Sequence, residues 1–262
     1  MFSEHSLISI LGWGAAILVG MFYLGVPLLV RFTQKNAAQP RFKVLSLGNC
    51  PRAVLTYLKD MSERLESAGF TLVGCMSMQQ QTTGVTPYFA LLIHRLAGDK
   101  AMACAIYTEA EGVMSLGTRY VEFSTRYEDG RMIDTNNSAA LDAFRAVPEK
   151  TVNKFPTVED PLELYALHQE IMREFAPSAR KVLPDEGAEL DYLANVLIED
   201  YERQCRLGML YLDPAAAAYR PTMKGALLMT WGLLPPMKQV RSLQMNRAAE
   251  RRLQHASRLQ SA

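Results

Sequence analysis

From Ser6 to Val30 the chain has no Asp, Glu, Lys, Arg or His. As a helix, this run of Leu, Ile, Val, Ala, Gly and aromatic residues reaches about 36 Å, enough to cross a hydrocarbon core of about 30 Å. The marks of a cleaved secretory signal are missing: the chain opens Met-Phe-Ser-Glu-His without a basic stretch, and the run ends in Pro27-Leu-Leu-Val-Arg31 rather than a small-residue cleavage site. The expectation is a retained anchor. Acids are absent again from Arg31 to Lys59, where Arg31, Lys35, Arg41, Lys43 and Arg52 fall. The positive-inside rule then predicts a protein of the cell inner (cytoplasmic) membrane, with the N-terminus outside and the main domain cytoplasmic.

Paired cysteines are also lacking. Cys50, Cys75, Cys104 and Cys205 are scattered with no Cys-x-x-Cys spacing, which argues for reduced thiols and against a metal or redox site. There is no Walker loop, Gly-x-Gly-x-x-Gly, Gly-x-Ser-x-Gly or His-Glu-x-x-His, so no cofactor and no metal is expected. With net charge +1 and 21% charged residues, the chain shows no bias toward a nucleic-acid partner. No internal repeat is present.

What remains divides into an N-terminal transmembrane anchor over 1–32, a polar, basic linker over 33–50, a cytoplasmic α+β domain over 51–221, and an apolar segment with a basic helical tail over 222–262. Val54, Leu55, Leu58, Met61 and Leu65 recur at helical spacing before Gly69, a C-terminal cap. Strands are predicted over 70–78, 86–96, 101–108, 117–127 and 131–135, separated by short breaks that favour an antiparallel meander. Asp129-Gly130 predicts a two-residue type I′ turn opposing Tyr127 to Met132 and Thr125 to Asp134. Alternation then places Val121, Phe123, Tyr127 and Met132 on a core face, and Glu122, Ser124, Arg126, Arg131 and Thr135 on a wet one.

The sheet should rest on helices. Asp160-Pro161-Leu162-Glu163 starts one, with Leu164, Leu167, His168, Ile171 and Met172 inward. A second begins after Pro184-Asp185, turns Leu190, Leu193, Ala194, Leu197 and Tyr201 inward, and stops near Gly208. The polar run Asp134-Thr-Asn-Asn-Ser138 should cap a turn into a helical stretch over 139–144. Residues 225–237 are uncharged, too short for an ordinary span but suited to a buried or interfacial segment. In the tail, Lys238, Arg241, Arg247, Arg251, Arg252 and Arg258 face one acid, Glu250.

Candidate site residues follow from these patterns. Gly12, Ala16 and Gly20 share one face of the anchor, where small side chains let a second helix approach, in a protein partner or a homo-oligomer. Trp231 with Lys238, Arg241, Arg247, Arg251 and Arg252 forms a set suited to anionic lipid, against the plainer reading of a packed helix followed by a solvated one. His94 lies in line with Leu92 and Leu96 as a satisfied sheet residue, and His168 could meet Asp134 or Glu122 in space. The anchor, Val121-Glu-Phe-Ser-Thr-Arg-Tyr-Glu-Asp-Gly-Arg131, Leu164-Tyr-Ala-Leu-His168 and Met229-Thr-Trp-Gly-Leu-Leu-Pro-Pro236 together resemble a group of bacterial single-pass membrane-anchored proteins with no assigned activity. That resemblance implies the architecture and carries no site residues. The expected function is a non-enzymatic module binding a protein partner or a lipid surface. The alternative is an enzyme acting on a membrane-proximal substrate through the open sheet face and His168.

Overall fold

The computed structural model describes residues 4–45, 50–78, 85–110, 113–144, 146–175 and 178–260. The charge-free run folds into α1 (Glu4–Thr33), a single 30-residue helix about 45 Å long. Among the described residues it is the one helix long and apolar enough to cross a membrane. The linker that follows is not free chain: β1 (Asn36–Ala37) and β2 (Phe42–Val44) enter two different sheets.

Next comes α2 (Arg52–Glu66), which buries Val54, Leu58, Met61 and Leu65 at the expected helical spacing. Gly69 closes it at φ +90°, and the Phe70 N–H returns to the Leu65 carbonyl at 3.2 Å. A side chain at Gly69 would meet the His94 ring at 2.8 Å, so glycine is required twice over.

The large sheet is built from β2, β3 (Thr71–Met78), β4 (Val85–His94), β5 (Asp99–Ala110), β6 (Val113–Tyr127), β7 (Met132–Asn136) and β8 (Lys150–Lys154), adjacent in that order. It is mostly antiparallel, but it is mixed and not a plain meander. β8 runs parallel to β7, and β9 (Lys181–Val182) pairs with Arg126 and Tyr127 of β6, beyond the start of β5. A parallel neighbour needs a long crossover, here residues 137–149. The helix expected over 139–144 does not form in it. Ser138 Oγ accepts from the Ala140 N–H, while the Asn137 side chain accepts from the Val121 N–H at 2.7 Å and donates to the Val158 carbonyl at 2.9 Å. These local bonds offer the backbone an alternative to helix.

The β6–β7 hairpin lies one residue away from the expected register. Thr125 opposes Ile133, and Arg126 opposes Met132. The loop has three residues, because Gly130 alone adopts positive φ (+85°) while the Gly130 N–H bonds to the Tyr127 carbonyl. A one-residue shift reverses the faces of a whole strand. Ile133 therefore joins Phe123 and Tyr127 in the main core, with buried Thr135 on the same side, and Met132 and Asp134 turn to the other face.

That other face is not simply wet. α3 (Pro161–Phe175) packs with α2 on the first face, around Leu58, Leu65, Phe70, Leu92, Phe123, Leu164 and Ile171. α4 (Glu189–Arg206) covers the second, setting Leu190 and Leu193 against Met76, Phe89, Leu91 and Cys104. A small sheet of β1, β11 (Ala218–Pro221) and β10 (Leu210–Asp213) follows, then α5 (Met223–Trp231) and α6 (Met237–Gln260). α6 is docked on the main core through Ala249 and Ala256.

Candidate functional site

α4 is fixed across the sheet by charge as well as by its apolar stripe. Arg126 of β6 bonds Glu199 at 2.6 Å, Lys150 of β8 bonds Asp200 at 3.1 Å, and Arg95 pairs with Glu189. Between these clamps and Asp142, Phe144 and Val147 of the crossover the helix stands off the sheet. The gap is a cleft of about 470 Å³, lined by Glu122, Asp134, Asn136, Lys150, Leu197 and Asp200, with Arg241 at its wall. A narrower recess of about 90 Å³ shares Glu122, Asp134, Lys150 and Asp200 and continues toward Lys100 and Tyr192.

Acids and bases interlock along the cleft, where Asp200 Oδ1 also accepts from Arg203 at 2.7 Å and Asp142 from Lys154 at 2.7 Å. Lys150 Nζ lies 2.9 Å from Asp134 Oδ2 and 3.1 Å from Asp200 Oδ2. Among the described residues Glu122 accepts from the Asn136 amide N–H at 3.0 Å, and Asp134 Oδ1 is buried with no hydrogen-bond partner. Burial, reinforced by the Asp134 charge, raises the Glu122 carboxyl to about 7. Burial works against the Lys150 ammonium, but Asp134, Asp200 and Glu122 outweigh it and hold its pKa above the ordinary lysine value. At the recess end, burial lowers Lys100 to about 8, and its Nζ sits over the Tyr192 ring.

His168 does not reach this cleft. It lies on the first face, fully buried, with Nε2 3.0 Å from Thr125 Oγ1 and Nδ1 2.9 Å from Thr135 Oγ1. Thr125 donates to Asp99 Oδ1 at 2.7 Å, and Lys181, Tyr165 and Gln169 supply the remaining donors to that carboxylate. Burial lowers the His168 pKa to about 4, so the ring is neutral. The expected Asp134 and Glu122 partners are replaced by two threonines, because the register shift turns Thr135 inward and Asp134 outward. A ring enclosed in this way ties helix to sheet and offers a substrate nothing. His94, likewise, accepts from the Ala97 N–H at 3.2 Å and packs edge-on against Phe70.

The second candidate surface is the corner where α1 meets α5. Thr222 caps α5 by accepting from the Gly225 N–H at 2.9 Å, and a side chain at Gly225 would lie 1.9 Å from the Met209 carbonyl oxygen. α5 then lies along the later part of α1. Trp231 Nε1 donates to the Tyr23 carbonyl at 2.9 Å, and Arg31 stacks on Tyr211. Around that corner Leu228, Trp231, Met237, Val240 and Leu243 remain exposed, as do Leu24, Leu28, Leu29 and Phe32 of α1. No protein family, curated protein or solved structure matches this chain.

The structure disperses the basic set predicted with Trp231. Lys238 is exposed beside the corner, whereas Arg241 donates to the Gly232 and Asp142 carbonyls. Arg252 pairs with Glu174 and stacks on Phe175 farther along the domain, and Arg247 and Arg251 are exposed. Gly12 and Gly20 have open space around them, and the side chain of Ala16 lies outside the described residues. Sequence reasoning missed the cleft. Its signal was the stripe of α4, which needed a second apolar surface that a wet sheet face could not supply.

Proposed function

We propose that the protein is a single-pass protein of the inner (cytoplasmic) membrane, N-terminus outside, whose cytoplasmic domain is a binding module that lies against the lipid surface. The observation that carries the reading is the Trp231 bond to the Tyr23 carbonyl. α1 is longer than a span of about 20 residues requires. If its first part crosses the bilayer, Tyr23 falls near the cytoplasmic boundary, where tryptophan side chains concentrate. Trp231, 40% exposed, is then held at that level, and Leu228, Met237, Val240 and Leu243 face the same layer. Lys238 beside them meets the headgroups, where each cation near anionic lipid contributes about 1 kcal/mol. The open Gly12 and Gly20 face of α1 is available to a second span, from a partner or another copy of this chain.

The enzymatic alternative draws on a different place from the one the sequence suggested, namely the convergence of Glu122, Asp134 and Lys150 in the cleft. The orientation is tested by thiol labelling of a variant that keeps Cys50 and carries Ala at Cys75, Cys104 and Cys205. An impermeant reagent should leave Cys50 unmodified in intact cells and modify it after lysis. Modification from outside reverses the topology.

A further inference from the structure

We propose that the outer edge of β8 takes an extended acidic peptide as an added strand, seated in the groove between that edge and α6. β8 is the last strand in the order of the large sheet, with β7 as its neighbour. The Met132 N–H bonds to the Glu149 carbonyl at 2.7 Å and the Phe155 N–H to the Asn136 carbonyl at 2.8 Å. A strand residue directs its N–H and C=O to one side and the next residue to the other, so residues 149, 151, 153 and 155 face β7 while Val152 and Lys154 turn theirs outward. Among the described residues no partner meets these outward groups of Val152 and Lys154. Thr151 and Val152 are exposed, so the edge can be approached. A row of unpaired backbone groups is the template on which strand addition works.

The groove beside the edge holds about 490 Å³ and is bounded by residues 152–155, by Leu141 and Asp142 of the crossover and by one side of α6. Its charges select the occupant. Among the described residues Lys154, Arg241, Arg251 and Arg252 line it with one acid, Asp142. Lys154 answers Asp142 at 2.7 Å, and Arg252 pairs with Glu174. Arg241 bonds carbonyls alone, those of Gly232 and Asp142, and Arg251 is exposed with no acidic partner among the described residues. Two guanidinium charges are left over. Position 145, outside the described residues, is an arginine in the sequence and adds no acid. Arg241 and Arg251 stand about 15 Å apart in helix rise, which an extended chain covers in roughly four to five residues. Met245 and Ala248, between them on α6, offer apolar contact to the intervening side chains. A second copy of β8 is the wrong occupant, since pairing edge to edge sets the two basic grooves against each other.

The test is fluorescence anisotropy of a labelled hexapeptide of alternating Glu and Val, titrated with the full-length protein in maltoside micelles. It should bind saturably and weaken with added salt, which shortens the reach of exposed charges to about 3 Å at 1 M. The counterpart with Lys in place of Glu should not bind. The Glu–Val peptide methylated at every backbone nitrogen keeps its charge but donates nothing, and should bind at least about tenfold more weakly. On the protein, the Val152 N–H points away from β7, so Val152→Pro leaves the ladder intact, removes the donor from the edge and should lower binding by about tenfold. Arg251→Gln changes an exposed side chain, should fold, and should weaken binding about two- to fivefold. Absence of saturable binding, or equal binding of the Lys peptide, overturns the proposal. Equal binding of the methylated peptide shows a patch that attracts anions of any backbone and overturns it as well, as does unchanged binding in Arg251→Gln or in folded Val152→Pro. Should Val152→Pro not fold, the methylated peptide asks the same question from the ligand side. The membrane contact of α5 is a separate claim, and failure here leaves it standing.

Discussion

Two groups on opposite faces of the sheet have their charged forms disfavoured, and their effects on stability run in opposite directions with pH. Glu122 has its carboxyl raised from 4.5 to about 7, so the folded state binds more protons than the unfolded one between those values, and stability falls as pH rises through them. His168 is lowered from 6.5 to about 4, so its contribution is lost as pH falls through that window. The two largely cancel between about pH 4.5 and 6.5. Glu122→Gln removes one side of the balance. In denaturation of the detergent-solubilised chain it should be more stable than the parent at pH 8 by roughly 1–3 kcal/mol, with the gap closing toward pH 5. His168→Leu should cost about 2 kcal/mol or more at pH 7, since it strands the Thr135 hydroxyl in a fully buried site. A loss below about 0.5 kcal/mol would mean that the network contributes little.

Residue types announced some of this chemistry and concealed the rest. That His168 is inward was legible from its place beside Leu164, Leu167 and Ile171. Its partners were not, because they depend on strand register. Asp-Gly is compatible with both a two-residue and a three-residue loop, and which one forms depends on whether Asp129 leaves negative φ. Asp129 instead accepts from the Arg131 N–H at 3.0 Å and from its guanidinium at 2.6 Å, which holds the three-residue form. Glu122 was assigned to water for the same local reason: alternation names the face of a residue but not what covers that face.

At the scale of elements, capping, periodicity and the antiparallel pairing of β3 to β7 were legible, while the β6–β7 register and the pairing of the shorter strands were not. Pro161 opens α3 with Asp160 accepting from the Leu162 N–H at 3.1 Å, and Gly208 ends the α4 region at φ +69°. The short strands β1, β2 and β9 were invisible, since each is held by a partner distant in sequence rather than by a pattern of its own. β1 also changes what can be cut. Removing the first 40 residues takes away both the α1 surface under α5 and the Asn36–Ala37 pairing with β11, so the proposed membrane contact is best examined in the whole chain. The seat of α5 has its own test. Gly225→Ala forces a side chain against the Met209 carbonyl and should destabilise the α5 corner by about 1–3 kcal/mol, seen as earlier proteolysis between residues 222 and 237. Unaltered proteolysis there would show that α5 adjusts without cost.

For the molecule as a whole, a helix long and apolar enough to cross a membrane, an apolar corner and a cleft are arranged along one chain. α1 is longer than a bilayer needs, and its last turns pack on α5 and the small sheet, so the domain is fixed to this helix by contacts rather than by a loose tether. The charge-free run made the long apolar helix readable from sequence. The contact between Trp231 and Tyr23 was not, because the two lie more than 200 residues apart. Their meeting gives the claim its most direct measurement. In a Trp13→Phe variant, Trp231 is the remaining tryptophan, and its fluorescence in nanodiscs can be quenched by lipids brominated at different acyl depths. Strong quenching, greatest for bromines nearest the headgroups, is the predicted result. Trp231 emission indifferent to bromine at every depth would contradict the placement of the α5 corner at the membrane surface.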